Sequence, residues 1–188
     1  MADFSKGLLG WRILIFKRGH ERPMEDGIRD LRALLQAQLR DVFEQARDLG
    51  NRYLQEIVEA NTAKGWNQKN RLQFRVRQRG NAIALEWYLI NWYGRKDQGR
   101  ELRRTYIPKR NKSRRRDAQV FGYSMEDLLC HTSGWDDDLV TAVESEASAY
   151  RRQAHFLADM LVTLGRLERF ATAQTQGPSP GAQKESLS

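Results

Sequence analysis

From Asp26 to about Thr62, apolar residues recur at Ile28, Leu31, Leu35, Leu39, Val42, Ala46, Leu49, Tyr53 and Ile57. Steps of three and four set them on one stripe, so the spacing predicts a long amphipathic helix. Gly50 costs such a helix about 1 kcal/mol relative to Ala, which allows a kink or a break there. Lys64-Gly65 supplies a stop. The period then changes to two. Leu72, Phe74 and Val76 alternate with Gln73, Arg75, Arg77 and Arg79, and Gly80-Asn81 has the form of a two-residue hairpin turn. A turn there pairs Arg79 with Ala82, Arg77 with Ala84, Arg75 with Glu86 and Gln73 with Tyr88 on one face. The other face pairs Val76 with Leu85, Phe74 with Trp87 and Leu72 with Leu89. One side is then apolar and the other carries a ladder of arginines, a separation that a slip of one residue destroys.

After a loop from Gly94 to Gly99, Glu101 to Ile107 reads as a third strand, which Pro108 ends because it has no amide hydrogen for the ladder. Ser124 is placed to cap a short helix running through Cys130. Ser133 precedes a second long helix with Asp136, Asp137 and Asp138 in its first turn, where acid complements the helix dipole. Trp135, Leu139, Val143, Ala147, Tyr150, Ala154, Leu157, Leu161 and Leu164 carry its apolar stripe to about Phe170. Each long helix spans roughly 38 residues, or about 57 Å, and can pair with the other or with a second copy.

The expected architecture is α+β, a three-stranded antiparallel sheet flanked by two long amphipathic helices. Residues 1–25 form a peripheral segment, and Met24-Glu25-Asp26 is an alternative translation start. Residues 26–171 form one domain with a basic loop at 109–116, and residues 172–188, with Pro178, Pro180 and several Ser and Gln, form a disordered tail.

Composition adds a compartment and a partner. Cys130 is the single cysteine and no Cys/His group has zinc spacing, so neither a disulfide nor a structural metal is expected, and a reducing, cytoplasmic location is. Leu8 to Phe16 is apolar but short and broken by Arg12, which argues against a signal peptide or a membrane span. Of 188 residues with a net charge of +8, the stretch Arg71 to Arg116 holds fifteen Lys or Arg against Glu86, Asp97 and Glu101, a local net of +12. The remainder is net negative, so positive charge is gathered on the strands and the loop after them, the footprint of a nucleic-acid-binding surface.

Arg75, Arg77 and Arg79 project from one strand face about 7 Å apart, close to the spacing of phosphates along a strand. Such a ribbon can follow a backbone or enter a major groove, while Tyr88 and Trp92 on the same face can stack on unpaired bases; the residues do not choose between these modes. Arg103 of the third strand is counted with this surface. Lys109, Arg110, Lys112, Arg114, Arg115 and Arg116 form an arm suited to clamping phosphates, which adds affinity more than sequence choice. The bland alternatives are a solvated face with Arg75 paired to Glu86 and a solubilising loop. Trp87 faces the apolar side and is expected in the core.

Catalytic signatures are missing. His20, His131 and His155 form neither the histidine motif of relaxases nor the signature of tyrosine recombinases, and no P-loop or dinucleotide fingerprint is present. Asp136 to Asp138 point to different sides of a helix, which suits capping better than a cation. No enzyme activity and no cofactor are expected.

Leu72 to Leu167 resembles the MobI-type conjugative transfer proteins. The resemblance lies in Trp87-Tyr88 and Trp92-Tyr93-Gly94, then Thr105 to Lys109, then Trp135-Asp136 opening a helix with Glu144, Glu146 and Arg151-Arg152. It implies an accessory factor at an origin of transfer that helps assemble the relaxosome so that a separate relaxase can nick DNA. The expected partner is therefore DNA, taken as duplex, bound by a homodimer and without a membrane. An RNA- or single-strand-binding module, and a helical protein docking an acidic partner, are the alternatives.

Overall fold

The computed structural model describes residues 24–95, 97, 99–110 and 120–175. The N-terminal segment before Met24, residues 111–119, which include residues 111–116 of the basic loop, and the residues after Thr175 lie outside them.

Helix α1 runs Met24–Thr62 without interruption, a short 3-10 turn follows at Trp66–Gln68, and strands β1 (Leu72–Arg79), β2 (Ala82–Tyr93) and β3 (Glu101–Tyr106) form an antiparallel sheet in the order β1-β2-β3. A short helix α2 (Met125–Leu129) and the long α3 (Asp137–Thr175) complete the chain. The α+β reading therefore holds. The hairpin has the register expected from its alternation, Arg79 opposite Ala82 through to Leu72 opposite Leu89. Gly80 takes φ +58 at the turn, and Gly94, at φ +94, closes β2 where a side chain would meet the carbonyl of Gly99.

Gly50 does not break α1. It lies beneath the Phe74 and Val76 side chains, so the sheet seats directly on the helix backbone there. Ser124 occupies the cap position of α2 but makes no side-chain cap bond. α3 continues to Thr175, so residues 172–175, assigned above to the tail, are helical.

α1 and α3 lie antiparallel, with Arg32 bonded to Glu168 at one end and Arg52 to Glu146 further along. Their proximal halves and the inner sheet face bury one core, including Ala46, Tyr53, Phe74, Trp87, Val140 and Ala147. Their distal halves bury a second, from Ile28, Leu35, Leu39, Val42, Ala154, Leu161 and Leu164. Beyond the sheet, two helices thus continue as a stalk able to bury one side each. Leu31, on the expected stripe, is exposed for this reason, as are Phe156, Met160, Leu167 and Phe170.

Candidate nucleic-acid interface

The helices cover the side of the sheet carrying Leu72, Phe74, Leu85 and Trp87. Alternation sends the intervening residues outward: Arg75, Arg77 and Arg79 of β1, then Glu86, Tyr88, Ile90 and Trp92 of β2, then Leu102, Arg104 and Tyr106 of β3. Four arginines share this face with one carboxylate.

Arg75 and Arg79 are exposed, and among the described residues no ion pair or hydrogen bond holds either. Arg77 differs. Its Nη2 lies 2.6 Å from Glu86 Oε2 and 3.1 Å from the Tyr88 hydroxyl, which itself donates to Glu86 at 2.8 Å. Burial pushes the Glu86 carboxyl up, but bonds from Arg77 and Tyr88 and the charges of Arg77 and Arg79 outweigh it and hold the group below its ordinary value. Burial, with the bond to Glu86, raises the Tyr88 hydroxyl. The acid on this face is therefore paired with Arg77 rather than Arg75. Ala84, directly opposite Arg77, leaves room for the guanidinium to lean to its diagonal neighbour.

Tyr88 is half-buried, edge-on to Tyr106 with ring centroids 5.7 Å apart, while Trp92 is exposed. Arg103 does not join the group. It pairs with Asn91 on the opposite face, where it bonds Glu101 and lies over the Tyr93 ring. Its neighbour Arg104 takes the place expected of it, reaching across β2 so that Nε donates to Gln73 Oε1 at 2.9 Å. The chain signal that separates them is parity relative to Tyr106, which lies opposite Tyr88.

Lys109 and Arg110 are exposed just past β3. Although Lys109 is exposed as a residue, partial desolvation and the nearby positive charge of Arg151 lower its ammonium from the ordinary value. Lys112, Arg114, Arg115 and Arg116 lie outside the described residues.

Beneath the face, a buried network holds the scaffold. Glu144 accepts from Trp87 Nε1 at 2.7 Å, from the Tyr123 amide at 2.7 Å, and from both terminal nitrogens of Arg151 at 2.7 and 3.0 Å. Arg151 Nε donates to the Leu85 carbonyl at 2.9 Å, and its Nη1 to the Phe121 carbonyl at 3.0 Å, tying the strand edge to α3. Asp136, fully buried, accepts from Asn70 and from the Ser133 amide, and its carbonyl receives the first bond of α3. It joins the start of β1 to the start of α3 rather than facing solvent. Trp135 donates to the Gln68 carbonyl at 2.7 Å. The apolar stripe hid these groups, although Glu144, Ala147, Arg151 and Ala154 recur at steps of three and four.

Among the described residues no helix is long and apolar enough to cross a membrane, and no group of three His, Cys, Asp or Glu side chains could hold a metal ion. In comparison with known proteins, a family model described as MobI protein matches residues 42–165. No curated protein and no solved structure matches the chain.

Proposed function

This chain belongs to the MobI family of conjugative transfer proteins, and on that premise we propose that it is a non-enzymatic DNA-binding accessory factor. It recognises an origin of transfer and helps assemble a relaxosome around a separate relaxase. The observation that carries this reading is the outer sheet face, where Arg75, Arg77, Arg79 and Arg104 stand against Glu86 alone. Such a face neutralises phosphates without needing a partner of opposite charge from the same chain. Lys109 and Arg110 follow β3 in the chain and add two exposed cations.

Footprinting across the element's own transfer region, with random duplex as competitor, tests it. Arg75→Ala with Arg79→Ala is expected to abolish protection of a defined site. Lys109→Ala with Arg110→Ala is expected mainly to lower salt-dependent affinity. Protection of the defined site that survives Arg75→Ala with Arg79→Ala refutes the division of labour, and protein that protects no DNA refutes the function.

The stalk supports a dimer. Leu31, Leu35, Met160, Leu164 and Leu167 line an apolar groove flanked by the projecting Phe156. We assign a second copy of this chain to it, because one patch carries both a groove and side chains of the size to fill it, as two-fold packing requires. The distal halves of the two helices, about 28 Å long, present a face of at most about 550 Å², or about 1,100 Å² over both copies, close to the roughly 1,000 Å² a specific interface needs. Met160→Glu is expected to halve the mass measured by light scattering. A monomeric wild-type chain refutes the assignment.

A further inference from the structure

At the end of the outer face away from the hairpin turn, the arginine ladder gives way to a pocket of about 500 Å³, a size that suits a small ligand. Ile90 and Leu102, outward-facing apolar residues on an otherwise polar surface, contribute to its floor. Trp66 and Trp92 contribute to its walls and remain 58% and 49% exposed, although solvated indoles are costly to leave uncovered. Among the described residues no aromatic ring packs on either. Lys69 and Arg71 also line the pocket, no carboxylate does, and the Arg100 guanidinium lies 4.6 Å from the centre of the Trp66 ring. The Asn67 side chain, also at the lining, is exposed and held by no bond among the described residues.

We propose that this pocket binds an unpaired nucleobase, stacked against Trp66 or Trp92, with its phosphate met by Lys69, Arg71 or Arg100. A planar apolar body attached to an anion satisfies both halves of the lining, and the amide of Asn67 can bond a base edge. Bases within a duplex have both faces stacked and cannot enter. Arg71 lies two strand steps from Arg75 with the same parity, about 14 Å away, so phosphates can pass from the arginines to the pocket within about two nucleotides. The protein therefore reads a junction between duplex and single strand. This rests on the reading of the outer face as a DNA surface and adds what part of the DNA it distinguishes.

The test is fluorescence anisotropy of the full chain with three probes: a blunt duplex, the same duplex with a five-nucleotide extension, and the same extension built from abasic sites. The base-bearing extension is expected to bind about 5- to 150-fold more tightly than the abasic one, the range for one stacked base. At least one of Trp66→Ala and Trp92→Ala is expected to remove that increment, and Trp66→Ala is expected to leave blunt-duplex affinity unchanged. Equal affinity for base-bearing and abasic extensions overturns the pocket while leaving the duplex reading intact, as does an increment that survives both substitutions. Failure of all three probes to bind overturns the DNA surface itself, and the pocket with it.

Discussion

Glu86→Gln should strengthen DNA binding. In the wild-type chain the Glu86 carboxylate lies 2.6 Å from Arg77 and offsets it, leaving the outer face with three uncompensated arginines from the strands. Removing the carboxylate charge releases Arg77 to meet a phosphate. Each further phosphate neutralised on duplex DNA steepens the dependence of log K on log salt by about 0.9. A contact worth nothing at 1 M salt is then worth about eightfold in affinity at 0.1 M. The cost to the fold is small, because the pair's side chains are 30% and 19% exposed and such a pair contributes at most about 1 kcal/mol. Anisotropy titrations of one duplex at four salt concentrations give the slope. Arg75→Ala and Arg79→Ala should each flatten it by about 0.9, whereas the double variant Arg77→Ala/Glu86→Ala, which removes both charges, should leave it near wild type. If Glu86→Gln binds no more tightly, or the double variant flattens the slope as much as Arg75→Ala, the outer face is not where phosphates are met.

Glu144→Gln removes the charge opposite Arg151 while both side chains are only 4% exposed, and should lower stability by about 3–5 kcal/mol, read as a fall in the urea midpoint at constant m. Gly50→Ala places a methyl at ordinary contact distance, 3.5 Å from Val76 Cγ2; it should raise stability by about 0.5–1 kcal/mol, since helix propensity improves without a clash. Because the folded Glu86 carboxyl is held below its ordinary value of 4.5, its pairing energy is fully present above that pH and is lost as pH falls through the depressed value. Acid unfolding curves of wild type and Glu86→Gln should therefore converge below pH 4.5 and separate above it.

The chain makes some of this structure plain before any coordinate. Two strands joined by Gly80-Asn81 admit one register that keeps Phe74, Leu85 and Trp87 on the same side, so their pairing follows from alternation and a turn. No comparable constraint sets β3. Its connection from Tyr93 to Glu101 is longer than a tight turn, so alternation alone leaves its parity free, and it is Arg104 rather than the expected Arg103 that stands on the outer face. Hydrophobic periodicity also has no way to mark Glu144 and Arg151 as buried, because the stripe registers apolar side chains and those two are buried by satisfying one another. Leu31 fails in the opposite sense: it has the right spacing, but the sheet stops short of it and a two-helix stalk has no third layer to cover it.

The residues that carry the family resemblance divide between the two sides of the sheet: Tyr88, Trp92 and Tyr106 lie on the outer face, and others are covered by the helices. Trp87, Asp136, Glu144 and Arg151 are buried, and each makes bonds that join elements distant in the chain. A change at any of them threatens the fold, since a buried charge or donor left unmatched costs several kcal/mol. Arg75, Arg79 and Trp92 bear no such constraint: they are exposed, and a substitution there changes what the surface touches with little effect on stability. Grafting the outward residues of a relative onto this scaffold should accordingly exchange the site protected in a footprint while the melting temperature stays close to that of the parent.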